Sequence, residues 1–344
     1  MKSAPVSEIH LRPSAPETAS WILAALALLL VLYLHLLSAL LGGLAVYELV
    51  HILSRKLPFI RGRREAGKRL AVALLAVFIV AALALAVVGV IAFFRSEQGN
   101  LPGLLGQMAD ILETSRAHLP SWLAQELPTD AEALKNEGVA WLREHAGELQ
   151  KFGAEVGRSF IHALIGMIIG AMVSLRGTGL AASRAPLAQA LAERARRLGE
   201  AFRRIVFAQM RISAVNTALT AVYLVVVLPL LGIRLPLTKT LIALTFLTGL
   251  LPVVGNLISN TVIVVVSLSY SLGAALGSLV FLIVIHKLEY FLNAKIVGTE
   301  IQARAWELLL AMLVMESAFG LAGLVAAPIY YAYLKDELSA RGLI

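Results

Sequence analysis

Long apolar runs recur along this chain from Trp21 to Tyr333, and nothing else in it constrains the fold as much. A soluble core cannot absorb so many of them, whereas a helix of roughly 20 apolar residues spans a bilayer with its backbone hydrogen bonds made internally. Composition agrees: 59% of the 344 residues are hydrophobic, 15% are charged, and mean hydropathy is +0.81. The runs do not alternate apolar with polar, which argues against a β-barrel. The expected fold is all-α: a polytopic transmembrane helical bundle of about eight membrane segments, with broken or re-entrant helices and an external helical segment.

The absence of cysteine removes disulfides, thiolate metal sites, cysteine nucleophiles and lipidated cysteines together. The formal charge of +8 sits in loops beside apolar runs, a pattern of membrane orientation rather than of nucleic-acid binding. His10, His35, His51, His118, His145 and His162 show no metal-ligand spacing. There is no HExxH, no GxSxG and no phosphate-cradling glycine loop. No enzyme activity, cofactor, metal or nucleotide-driven pump is expected.

Residues 1–20 read as a cytoplasmic tail. The run Trp21–Leu53 exceeds the apolar core of a cleavable signal peptide, which points to a retained membrane segment. It is either a tight pair of short spans turning near His35 or one long tilted helix. Residues 54–69 carry seven basic residues and one acid, so this loop should be cytoplasmic, and Leu70–Phe94 completes the N-terminal spans, 21–94. In the segment 95–155 acids outnumber bases two to one, as expected outside. Within it Leu134, Trp141, His145, Leu149 and Phe152 recur at helical spacing, either on a membrane or partner surface or in a solvated hairpin.

The transmembrane core is expected over 156–334. Phe160–Leu175 carries Gly166 and Gly170 at the spacing that lets helices approach closely. A second basic loop, 176–211, has eight basic residues and two acids, again cytoplasmic. Its amphipathic helix, with Leu187, Leu191, Leu198, Phe202 and Ile205 on one face, is either a lipid-surface anchor or gate, or a helix packed on the bundle. Further spans are Ser213–Leu231, Leu237–Ser271, Leu272–Tyr290, where Gly273 and Gly277 lie four apart, and Trp306–Tyr333, interrupted at Phe319–Gly323. Residues 335–344 form a cytoplasmic tail whose KDEL is internal and therefore not a retention signal.

Three constellations can carry function. The first is "GLLPVVGNLISN", Gly249–Asn260, which places proline, glycine and asparagine in an apolar run. An interior proline costs a helix about 3 kcal/mol, and irregular backbone at membrane depth is tolerated where it is buried in protein or lines a cavity. This stretch is a re-entrant hairpin or two short tilted spans meeting at Pro252–Asn256, with Asn256 and Asn260 on one face; a proline kink whose asparagines bond neighbouring helices is the alternative. The second is His286, Glu289 and Asn293, stacked on one helical face near Lys287 and Lys295, which read equally as interface anchors. The third is Glu307 and Glu316: Glu316 should sit near mid-membrane as a proton or cation carrier, unless it pairs with a basic residue elsewhere.

The series "FAQMRISAVNTALTAVYLVVVLPLLGIRLPL", "LLPVVGN", "LEYFLNAKIVG" and "FGLAGLVAAP", from Phe207 to Pro328, resembles the autoinducer-2 exporter, or PerM-type permease, family, and the layout before it fits as well. Pro252 and Gly255 of that family's pattern are kept; Asn256 and Ala294 stand where prolines are common. The resemblance implies a homo-oligomeric, pentameric transporter of the inner membrane, exporting a small polyhydroxylated solute or exchanging sodium for protons. The candidate solute contacts are Gln209, Asn216, Pro252, Gly255, Asn256, Asn260, His286, Glu289 and Asn293. Glu316 and Glu289 are the candidate proton or cation couplers, and Gly249, Gly320, Gly323 and Pro328 the candidate hinges.

Overall fold

Nine helices carry the fold among the residues that the computed structural model describes, which are 14–56, 64–95, 136, 139–141, 143–175, 185–235, 237–250, 254–268, 270–271, 273–285, 287 and 304–344, with no strand among them. Six of the described helices are long and apolar enough to cross a membrane, and two shorter apolar helices accompany them. The N-terminal tail through residue 13, most of the external segment and parts of both basic loops lie outside the described residues.

Helix α1, Ala15–Tyr33, starts at Ser14, whose N–H and hydroxyl both meet the Glu17 carboxylate, a capping arrangement. It stops where His35 takes φ 55°. Leu36 N–H then bonds the Val31 carbonyl at 2.8 Å and His35 N–H the Leu32 carbonyl at 3.1 Å, the bond pair of a left-handed helix cap. Helix α2, Leu37–Lys56, follows at once, so the long first run is two helices turning at His35.

Helices α3, Arg64–Arg95, and α4, Ala146–Leu175, pack with α2 around Val46, Val50 and Ala71. Helices α2 and α4 meet backbone to backbone. A Cβ on Gly166 would stand 1.9 Å from the Ala39 carbonyl oxygen, and one on Gly170 2.2 Å from that of Gly43. Gly273 and Gly277 differ: among the described residues a Cβ there meets nothing nearer than 3.9 Å and 4.0 Å, so their spacing marks no close helix contact among them. Ahead of α4, Trp141 and His145 stack with ring centroids 4.6 Å apart.

Helix α5 runs from Pro186 to Val222 and on through a π turn, Tyr223–Val227, to Leu230. The second basic loop and the following span are thus one rod from Pro186 onward. The π turn has a local cause. Pro229 lacks an N–H and its ring crowds the carbonyl four residues back, so the helix widens and Leu228 N–H reaches the Tyr223 carbonyl. Helices α6, Thr238–Gly249, α7, Val254–Leu268, and α8, Gly273–Ile285, pack on the far half of α5 through Tyr223, Leu224, Leu228, Leu241, Ile263 and Leu282.

Helix α9, Ala305–Ser339, is two arms: Gly320 at φ 60° and ψ −145° breaks it. A Cβ on Gly323 would meet the Met315 carbonyl oxygen at 1.9 Å, and Tyr331 hydroxyl reaches Glu307 at 2.6 Å, so the arms fold back on one another. The second arm runs antiparallel to α1, with Trp21 bonded to Glu337, Tyr330 to the Leu28 carbonyl, and Leu32 packed with Ala326. On the near half of α5, Ala201, Phe202 and Ile205 pack with Ile329, Ala332 and Tyr333, flanked by Leu28 of α1 and Leu44 of α2.

Candidate functional site

Four side chains of α5, Gln209, Ser213, Asn216 and Thr220, follow one another at four-, three- and four-residue spacing and so share one face. Ser213, Asn216 and Thr220 are buried. Opposite them α6 ends at Gly249 and α7 begins at Val254, so the broken run is two helices rather than one kinked rod. The Phe246 and Gly249 carbonyls at the end of α6 are among those a helix terminus leaves without partners of its own, a cost of several kcal/mol per group in hydrocarbon. Helix α5 supplies the partners. Gln209 Nε2 donates to the Gly249 carbonyl at 2.7 Å, and Ser213 Oγ donates to the Phe246 carbonyl at 2.7 Å.

The other side of the break is tied to the same face: Asn216 Nδ2 donates to Asn256 Oδ1 at 3.0 Å. Helices α6 and α7 meet so closely that a Cβ on Gly255 would lie 1.8 Å from the Thr248 carbonyl oxygen, and α6 meets α5 so closely that one on Gly249 would lie 2.7 Å from Ser213 Oγ. Buried hydroxyls continue along the contact. Thr245 and Ser259 are sealed from solvent; Tyr223 hydroxyl lies 3.0 Å from Ser278 Oγ, itself 2.7 Å from Ser267 Oγ. Tyr223 also stacks on Phe281 with centroids 3.8 Å apart. Every group named on this seam is uncharged.

Of the candidates that the sequence singles out, Gln209, Asn216, Gly249, Gly255 and Asn256 therefore come together. Asn260 stands one turn further along α7, half-buried. Pro252, His286, Glu289 and Asn293 lie outside the described residues. Ser213, Thr220 and Tyr223 are not among the sequence candidates, although their helical spacing from Gln209 and Asn216 in an apolar helix carries the signal.

The hairpin of α9 holds the remaining candidates. Glu307 Oε2 accepts from Tyr331 hydroxyl at 2.6 Å, the Arg304 N–H at 3.2 Å and Lys335 Nζ at 3.4 Å, which clasps the base of the hairpin. Glu316 lies about 14 Å further along the first arm at helical rise, one turn before Gly320. It is exposed and forms no ion pair among the described residues. Pro328 is buried inside the second arm.

A third polar cluster closes the end where α1, α5 and the tail of α9 meet. Glu337 Oε2 accepts from Arg194, from Arg197 at 3.4 Å and from Trp21 Nε1 at 3.2 Å. Arg204 pairs with Asp336, and Arg341 pairs with Glu17 at 2.7 Å. Arg194 and Arg341 both stand over the Trp21 ring. Glu193 binds Arg196 and Arg197 along α5 itself. Arg194, Arg196, Arg197 and Arg204 of this amphipathic helix are thus engaged with protein carboxylates, and the helix is packed on the bundle rather than spread on lipid.

A family model described as AI-2E family transporter matches residues 18–340, nearly the whole chain. Neither the curated proteins nor the solved structures gave a match.

Proposed function

Because the chain belongs to the AI-2E transporter family and is a multi-pass membrane transporter, we propose that it exports a small polar solute by alternating access at the α6–α7 break. The observation that carries the reading is the Asn216–Asn256 bond at 3.0 Å, beside the Gln209 bond to the Gly249 carbonyl. These are amide and carbonyl groups at the ends of broken helices, the chemistry that transporters use to bind polar solutes within the bilayer. A solute rich in hydroxyls replaces such bonds one for one, so its entry leaves no buried polar group unpaired. The proposal takes the end carrying Arg194 and Glu337, with both chain termini, as cytoplasmic in an inner membrane, and the protein as a homo-oligomer.

Efflux of radiolabelled autoinducer-2 from proteoliposomes tests the site. Asn256→Ala should reduce efflux by roughly tenfold, the loss of one transition-state hydrogen bond, while assembly survives. Unchanged efflux would move the solute elsewhere.

A second reading, cation/proton antiport, is favoured by one observation: Glu316 is a carboxylate without an ion-pair partner among the described residues, one turn from the Gly320 break. Intramembrane carboxylates of this kind carry protons in many transporters. Glu316→Gln should then abolish a sodium-driven pH change in vesicles, and its persistence excludes Glu316.

A further inference from the structure

We propose that the Arg194–Glu337 knot is the latch of a gate, closing the α5–α9 contact over the polar seam that begins at Gln209. This rests on the polar seam lying on the transport path, and it does not require Asn256 itself to contact the solute.

The knot is incompletely bonded. Arg194 and Glu337 are each 7% exposed, yet Glu337 Oε1, Arg194 Nε and Arg204 Nε are buried without a hydrogen-bond partner among the described residues. Among the described residues, the bonds from two arginines and from Trp21 converge on one carboxylate oxygen of Glu337. A permanent fastening among three helices would be better made of apolar side chains, because buried charges offset their desolvation only when all their polar atoms are satisfied. An under-satisfied knot specifies position strongly and contributes little net stability. When it opens, water rehydrates both partners, so the two states lie close in free energy. Those are the requirements of a latch.

The knot also stands in the right place. It joins α5, which caps the α6–α7 break through Gln209 and Ser213, to the second arm of α9, which carries the Gly320 hairpin. Between Arg197 and Gln209 the contact is mainly apolar, Ala201, Phe202 and Ile205 against Ile329, Ala332 and Tyr333, with the Arg204–Asp336 pair at its edge. Ala208, 1% exposed, lies just past this plug. From the charged end inward the order is therefore latch, apolar plug, polar seam. Trp21 of α1 binds Glu337 and lies under Arg194 and Arg341, so α1 moves or stays with the latch.

The chain has no cysteine, so a single introduced thiol reports without background. The test uses the full-length protein in lipid nanodiscs and the rate of labelling by a membrane-impermeant maleimide. Ala208→Cys reads the gate, and Ile263→Cys, at a site 1% exposed in the α5–α8 core, reads general loosening. Adding Glu337→Gln should raise the Ala208→Cys rate about tenfold, since labelling follows the population of the locally open state, and leave the Ile263→Cys rate unchanged. The reversed pair, Arg194→Glu with Glu337→Arg, should bring the Ala208→Cys rate part of the way back to that of the parent, since it restores one ion pair but not the bonds from Arg197 and Trp21. An unchanged rate in Glu337→Gln, an equal rise at Ile263→Cys, or a reversed pair as open as Glu337→Gln would each overturn the latch. If Glu337→Gln does not assemble, Trp21→Phe removes one donor to Glu337 and keeps a ring. It should raise the Ala208→Cys rate about threefold by the same population argument, and no rise overturns the proposal.

Discussion

Gly166 approaches Ala39 so closely that the Cβ it lacks would stand 1.9 Å from the Ala39 carbonyl oxygen. Gly43 and Gly170 repeat the relationship one turn along, at 2.2 Å, so α2 and α4 interlock backbone to backbone. In lipid there is no hydrophobic gain from burying one apolar face on another, and close van der Waals packing holds such a pair together. Gly166→Ala must push the backbones apart along the whole contact and should cost about 3 kcal/mol, the upper range for overpacking. Gly157, on the same helix, has nothing among the described residues within 4 Å of its missing Cβ beyond its own helix backbone. Gly157→Ala should instead stabilise by up to about 1 kcal/mol through helix propensity. Thermal unfolding in detergent separates the two, and equal effects would mean that α2 and α4 do not interlock.

The Asn216–Asn256 bond makes a coupled prediction. Side-chain hydrogen bonds between membrane helices are worth roughly 0.6 kcal/mol and at most about 1.7, so Asn216→Ala and Asn256→Ala should each destabilise modestly. Their double mutant should be less destabilised than the sum, with a coupling of that size. If the pair also contacts solute, efflux falls far more steeply than stability. If efflux and unfolding temperature fall in proportion, the pair only locks helices, as a non-transporting scaffold would require.

Ser213 and Gly249 oppose each other across the α6 terminus, which gives a suppressor test. A Cβ on Gly249 would meet Ser213 Oγ at 2.7 Å and Ser213 Cβ at 3.3 Å. Gly249→Ala should therefore cost about 2 kcal/mol, by displacing the hydroxyl from the Phe246 carbonyl as well as by contact. Adding Ser213→Ala removes the colliding oxygen and should recover about half of the loss, although Ser213→Ala alone is destabilising because it orphans that carbonyl. A strictly additive double mutant, followed by thermal unfolding, would refute the contact.

What the sequence discloses here depends on whether a residue's reason is local. The turn at His35 shows as an apolar run too long for one span with polar residues near its middle, and the break at Gly249–Val254 and the hairpin at Gly320 are written as helix breakers in apolar runs, because in lipid a broken helix has few other causes. Gly166 and Gly170 disclose a close contact but not that Ala39 and Gly43 are its other half. The Glu337 knot is less legible still. Arg194, Arg197 and Arg204 look like surface charges along their own helix, and only the antiparallel packing of α9 brings Asp336 and Glu337 to them. Ser213 is hidden for another reason: a lone serine in an apolar helix commonly bonds its own backbone, and its true partner lies 33 residues away in α6.

Gly320 is constrained by conformation rather than by contact, and that separates two substitutions. It sits at φ 60° and ψ −145°, a region closed to residues with a Cβ and distinct from the left-handed helical region that asparagine tolerates. Apart from its chain neighbours and its own helix backbone, no atom of the described residues lies within 4 Å of its missing Cβ. Gly320→Ala should cost about 1–3 kcal/mol in backbone strain alone, and Gly320→Asn should do no better. At Gly323 the constraint is contact with the Met315 carbonyl oxygen at 1.9 Å. Thermal unfolding of the two Gly320 variants decides the matter. A marked advantage of asparagine over alanine would mean that the hairpin turns through an ordinary left-handed residue, and that Gly320 does not set the geometry of the tip.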